Sequence, residues 1–188
     1  MPWGHAAFGY VLYSLGHRFV TREPPNGPLV VLALLFGTQL PDLVDKTLSW
    51  GLNLFPQGYS VAHSVFVAVP IGLLVLGATA SDRRDIGIAF TLGYWSHLLG
   101  DAILAVPKLG VSPSDRLLWP VVTLPPYQSE VTLIGRVTQV ISAFFGEVLT
   151  TEQLVFLALY STPYLLVFAL WLVDGAPGVA HFLRADDS

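Results

Sequence analysis

The sequence predicts an all-α fold, a polytopic transmembrane helical bundle with about five spanning helices plus one amphipathic or re-entrant helix. Three observations predict it. Of the 188 residues, 53% are hydrophobic and only 12% charged, with a mean hydropathy of +0.62, whereas an average soluble domain carries about 25% charged residues. The apolar residues fall into long runs divided by short polar stretches, and a spanning helix needs about 20 mostly apolar residues. The few acids and histidines embedded in these runs all fall at the same end of the segments that carry them.

The first run extends from Trp3 to Val20 and ends in His17-Arg18 at the opposite interface. No basic stretch precedes it, so a cleaved signal peptide is not expected, and Trp3 reads as an interfacial anchor. The second, Pro28 to Leu40, is short and stops before Pro41, so its end is expected to dip into the protein interior. The third and fourth, Val61 to Ala80 and Ile86 to Val106, are joined by the charged loop Ser81-Asp82-Arg83-Arg84-Asp85, which makes them an antiparallel hairpin. Prolines between Pro107 and Gln128 break regular structure. Over residues 131–149 the apolar positions follow a helical period interrupted by Arg136, Gln139, Ser142 and Glu147, which predicts an amphipathic helix on the membrane or over a site in preference to a sixth span. Leu154 to Val173 is the last span, kinked at Pro163. No polar linker divides the chain, so residues 1–188 form one integral membrane domain. The chain has no cysteine, which excludes thiolate metal sites and disulfides, and its net charge of −4 is too thinly spread to offer nucleic acid a basic patch.

In a chain that crosses a bilayer back and forth, the entry of odd segments and the exit of even ones share a face. His5 opens the first segment, Asp42 and Asp45 follow the second, His63-Ser64 opens the third, and His97 and Asp101 end the fourth. Alternation therefore gathers them into one cluster of imidazoles and carboxylates. Each ionisable group costs roughly 2.5 to 3.5 kcal/mol at the centre of an inserted helix, so such a cluster is a functional site by default. His97 and Asp101, four apart, share a helical face and can bind one metal ion or two adjacent ones, or lock two helices together. Asp42 and Asp45 share a face if a helical turn follows Pro41; otherwise Asp42 is a helix N-cap. His17 and His181 lie at the wrong end, and Asp82 and Asp85 read as a solvated loop. Three histidines and three carboxylates suit Zn²⁺ or Mn²⁺, in one or two ions. The short loops carrying Arg18, Arg22, Arg83 and Arg84 mark the cytoplasmic side, which turns the cluster outward.

The ordered set His5-x3-Gly9, Pro41-Asp42-x2-Asp45, His63-Ser64, Gly93-Tyr94-x-Ser96-His97-x3-Asp101 and Trp119-Pro120 resembles the membrane-bound metal-dependent hydrolases, a group that includes LexA-regulated inner-membrane proteins of bacteria. The likeness covers roughly residues 1–125. Such proteins often carry an Arg-Gly pair and a threonine before the His-Ser. Gly58 to Ser64 lacks both, leaving Arg116 or Lys108 as the cation for phosphate. A fainter resemblance to zinc-dependent phospholipase C implies His5, Asp42, His63, His97 and Asp101 as metal ligands, with Asp45 orienting a ligand or acting as catalytic base.

The expected function is a membrane-embedded metal-dependent hydrolase acting on a phosphoester or other ester of a lipid or lipid-linked substrate through metal-activated water. Two other classes compete with it. A metal-ion or proton transporter would show inverted repeats and broken helices in both halves, which the chain lacks. A structural protein whose metal ties helices together would bind the ion without turnover.

Overall fold

The computed structural model of the protein describes residues 2–103, 112–126 and 151–179, together with Ile134, Gly135, Val137, Thr138 and Ser142. Its long elements are α1 (Pro2–Thr21), α2 (Pro28–Lys46), α3 (Val65–Ala78), α4 (Arg84–Ile103) and α5 (Thr151–Val173). A π-helical turn, Thr47–Gly51, extends α2, and a 3-10 turn, Pro113–Leu117, interrupts the proline-rich stretch. No strand occurs among the described residues. The amphipathic helix expected over residues 131–149 lies outside the described residues except at those five positions, and Lys108 and His181 lie outside them entirely.

The second element departs from expectation. Its helix does not stop at Leu40 but runs through Pro41 to Lys46. Proline removes one hydrogen bond and crowds the preceding turn, a cost of about 3 kcal/mol. The buried face outweighs it, because Leu34, Gly37, Thr38, Pro41, Asp42 and Asp45 recur at helical spacing and all point inward. Asp42 is accordingly a mid-helix residue rather than an N-cap. The third helix begins later than expected, at Val65, where the Ser64 hydroxyl accepts the Phe66 N–H at 3.2 Å. Residues 61–63 stay outside it as a turn because Asp45 holds the backbone N–H groups of Ala62 and His63.

α4 is the central helix, packed against α1, α2, α3 and the 3-10 turn. It runs parallel to α2, and glycines set the distance between them. A Cβ on Gly37 would collide with the Phe90 carbonyl, and one on Gly93 with the Leu34 carbonyl. On the other side α4 is antiparallel to α3, with Trp95 Nε1 donating to Ala68 O at 3.0 Å and covering the space a Cβ on Gly72 would fill. One apolar cluster, Tyr10, Tyr13, Val30, Leu34 and Ala89, joins α1, α2 and α4.

The distribution of polarity is inverted relative to a water-soluble domain. Ser14, Thr38, Asp45, His63, Ser64 and His97 are fully buried, while Phe19, Leu74, Leu166 and Val173 are exposed. Such an arrangement suits an apolar solvent around the bundle. Pro28–Gly51 is long and apolar enough to cross a membrane, whereas Val65–Ala78 and Leu157–Val173 are apolar but shorter.

At the end of the bundle away from the histidines, Asp174 anchors α5 to α1. It accepts hydrogen bonds from Tyr10 Oη at 2.7 Å, Ser14 Oγ at 2.6 Å and Arg18 Nε at 2.8 Å, and forms an ion pair with the Arg18 guanidinium. Burial alone would raise its pKa, but these donors hold it below the ordinary aspartate value of 3.8. The sequence reading did not single Asp174 out; an acid directly after an apolar helix, level with Arg18 on the first, is the signal it carried. Replacing Asp174 by asparagine removes the charge opposite Arg18 and is expected to lower unfolding stability by about 1–3 kcal/mol in detergent. The folded-state pKa is depressed, so the carboxylate's contribution is complete above the ordinary aspartate range and lost as pH falls through the folded value. Thermal unfolding of the wild type should therefore worsen more steeply in acid than that of Asp174→Asn.

Candidate functional site

Asp45 organises the site. Fully buried on α2, it accepts the backbone N–H groups of Ser60 at 2.8 Å, Ala62 at 2.9 Å and His63 at 3.0 Å, and the His63 Nδ1–H at 2.8 Å. Four N–H donors offset the desolvation of one carboxylate and fix the loop entering α3. From α4, Tyr94 Oη donates to Ala62 O at 2.8 Å, gripping the same loop from its other side.

His97 is braced in a comparable way. Its Nδ1 lies 2.6 Å from the Thr38 carbonyl of α2. A carbonyl only accepts, so Nδ1 carries the proton and Nε2 is left as a lone pair; the Asp45 carboxylate imposes the same tautomer on His63. The two Nε2 atoms then face each other at 3.2 Å. Two lone pairs so placed repel unless a proton or a cation stands between them.

Carboxylates converge on the same point. Asp42 Oδ1 lies 3.6 Å from His63 Nε2 and 3.8 Å from His97 Nε2, and Asp101 Oδ2 lies 3.5 and 3.8 Å from the same atoms. Donors about 2.0–2.2 Å from a tetrahedral zinc are separated by about 3.3–3.6 Å. Five of the six donor–donor distances of such a site lie at 3.2–3.8 Å, within a few tenths of an ångström of that spacing. The residues fit a divalent cation in both geometry and donor type.

His5 completes the group from α1. Its ring stacks on His97 with centroids 3.8 Å apart, and its Nε2 lies 3.5 Å from Asp101 Oδ1. All six residues singled out in the sequence, His5, Asp42, Asp45, His63, His97 and Asp101, therefore meet in one place, with Asp45 behind His63. Two overlapping triads could hold a metal, His5/Asp42/His97 and His63/His97/Asp101. His17 lies at the far end of α1 with its Nδ1 near Glu23 O, and Asp82 and Asp85 are exposed.

Other contributors were not read from the sequence. Lys46, four residues beyond Asp42, pairs with its Oδ2 and leaves Oδ1 for the histidines; the spacing was visible, but its direction required the helix to pass Pro41. Thr38 acts through its backbone carbonyl, which no sequence motif reports. Tyr59 packs edge-on against His63 with centroids 4.8 Å apart, and the Arg116 guanidinium lies 4.8 Å over the Tyr59 ring. The Trp119-Pro120 motif serves this corner, since Ser64 Oγ donates to the Trp119 carbonyl at 2.5 Å and holds the 3-10 turn against the start of α3.

A cavity of about 540 Å³ opens beside the cluster, with His5, Asp101, Tyr59 and Arg116 at its polar end. That volume lies in the range of small-molecule sites.

Searches of curated proteins and of solved structures returned no match. A family model does match, over residues 1–175, and its description is the YdjM inner membrane protein. That span takes in α1 to α4, the cluster, the Trp119-Pro120 turn and α5, and the family's membrane location agrees with a bundle that buries its polar groups and exposes its apolar ones. The chain belongs to the YdjM inner membrane protein family.

Proposed function

We propose that the protein is a membrane-embedded metal-dependent hydrolase acting on a phosphoester or other ester of a lipid or lipid-linked substrate. The observation that carries this reading is the convergence of Asp42 Oδ1 and Asp101 Oδ2 within 3.5–3.8 Å of His63 Nε2 and His97 Nε2, which themselves lie 3.2 Å apart. A shared proton would satisfy the two nitrogens with one positive charge, whereas two carboxylates converging from different helices match the double charge of a divalent ion.

These four residues would hold a divalent ion, zinc first and manganese second by donor type, and a catalytic role requires that it accept water as a further ligand beside them. A single ion is the simplest occupant, because both triads use His97 and only its Nε2 is free. When bound, such an ion supplies Lewis acidity, polarising a phosphoryl or carbonyl oxygen and lowering the pKa of water beside it. The protein does the rest. Asp45 and the Thr38 carbonyl keep both imidazoles in the ligating tautomer, and Lys46 holds Asp42 in register. His5 stands on the cavity side against Asp101 Oδ1, where its imidazole can take a proton from the attacking water and deliver it to the leaving oxygen. We place Asp45 as a positioning residue, since all its bonds go to the His63 loop and it is closed to the cavity.

The bundle also supports a five-span topology. α1 to α5 alternate in direction, so the cluster lies at one end and the Asp174 anchor at the other. The arginines of the short loops lie at the anchor end, and the positive-inside rule favours a cluster that faces the extracytoplasmic side.

Metal analysis of detergent-purified protein is the direct test. His97→Ala and Asp101→Ala should each lose most of the bound metal, and His17→Ala should keep it. Unchanged stoichiometry in the first two would reject the site.

Asp45→Asn should still load at saturating metal but with about 10–100-fold weaker affinity, because His63 loses its carboxylate partner. Hydrolysis of lipid phosphoesters should require divalent metal, vanish with chelator, and fall in Asp45→Asn at saturating metal. A metal-loaded wild type inert towards every lipid phosphoester and ester offered would move the protein to the transport or structural class.

Sidedness is read by cysteines placed in the cysteine-free chain at Leu52, on the cluster end, and Asp82, on the other. An impermeant thiol reagent on intact cells should label the Leu52→Cys variant alone; equal labelling of both would overturn the topology.

A further inference from the structure

The cavity beside the cluster has two ends of opposite character, formed by one face of α1 and one face of α5. On α1, Gly4, His5, Phe8 and Val11 follow one another at helical spacing, as do Tyr160, Pro163, Tyr164 and Val167 on α5. The two helices run in the same direction, since Tyr164 Oη approaches Gly4 at one end while Asp174 meets Arg18 at the other. The lining is therefore graded. It is polar at His5 and apolar at Val11 and Val167, about 9 Å deeper along the helix axis.

Arg116 stands at the polar end. Its guanidinium lies over the Tyr59 ring at 4.8 Å, and Tyr59 in turn packs on His63. Among the described residues no carboxylate pairs with it, although Asp101 lines the same cavity. A stacked guanidinium keeps its planar edge available, and that edge matches two oxygens of a phosphate. The rings hold it on the 3-10 turn that Ser64 ties to the start of α3, so its position is built by the same contacts that build the cluster.

We propose that this cavity binds a lipid carrying a phosphate group, with the phosphate on Arg116 beside His5 and Asp101 and an acyl chain along the α1/α5 seam towards Val11 and Val167. It rests on the hydrolase reading above and names its substrate class as a phospholipid entered head-last from the bilayer, rather than a soluble phosphate ester. Charge and polarity together select that occupant: inorganic phosphate would leave the apolar half unfilled, and a neutral lipid would leave the guanidinium unpaired.

The test is native mass spectrometry of the full-length protein in nonionic detergent with dioctanoyl phosphatidic acid, dioctanoylglycerol or inorganic phosphate. Phosphatidic acid should bind, the other two should bind at least about tenfold more weakly, and Arg116→Gln should weaken phosphatidic acid by at least about tenfold, the value of one charge-assisted contact. Val11→Trp and Val167→Trp, which fill the seam from its two walls, should each block the lipid; either one that unfolds normally is sufficient. Equal affinity for dioctanoylglycerol, or for inorganic phosphate, or an Arg116→Gln protein that binds as the wild type does, would overturn the proposal. Metal content measured on the same samples separates the two readings. Metal-loaded protein that ignores phosphatidic acid overturns the lipid site and leaves the metal centre intact, whereas metal-free protein that binds it through Arg116 supports the lipid site while removing the metal centre.

Discussion

The Asp45 carboxylate is the contact on which the rest of the site depends. A buried, unpaired carboxylate is too costly to persist, so its position dictates that N–H donors gather around it. They come from Ser60, Ala62 and His63, and they shape the chain entering α3. That shaping explains why the helix starts at Val65 and why His63 points its Nε2 at α4 instead of lying within a regular turn. The fourth bond, to Nδ1, selects the tautomer. Without Asp45 the imidazole would have neither a fixed place nor a fixed lone pair.

A second constraint is the closeness of α2 and α4. His97 can reach the Thr38 carbonyl because Gly37 and Gly93 remove the side chains that would hold the two backbones apart. The close approach also carries Asp42 and Asp101, from parallel helices, to the same pair of nitrogens. Packing and chemistry are therefore one arrangement. A bulkier residue at either glycine would push the two backbones apart, and the donors with them.

The sequence made the gathering of the six polar residues legible because direction alternates between consecutive helices, and that alternation needs no side-chain detail. His5, Asp42, Asp45, His63, His97 and Asp101 share one end for that reason. The roles within the group were less legible. Asp42 and Asp45 are three residues apart in the same motif, yet one faces the nitrogens and the other faces the loop, a division set by the rotation of α2 as it passes Pro41. That passage was misread as a stop, since proline's local cost is visible in sequence while the buried face that overcomes it is not. Thr38 contributes a carbonyl and Asp174 a long-range anchor; backbone groups and contacts across more than 150 residues leave no local pattern.

The length of α3 bears on how a lipid would reach the cluster. Fourteen residues of helix span about 21 Å, against a hydrocarbon core of about 30 Å. In the proposed topology, an α3 whose far end reaches the interface at the Ser81 loop leaves Ser64 about 9 Å below the opposite boundary of that core. The Asp45-bound loop is irregular backbone at that depth, tolerated because a carboxylate satisfies its N–H groups at Ser60, Ala62 and His63. The cluster is then recessed and not exposed at the surface. A phosphate drawn to it would have to leave the headgroup layer, and the seam between α1 and α5, open at the cluster end and pinned by Asp174 at the other, offers its acyl chain a route that stays in apolar surroundings.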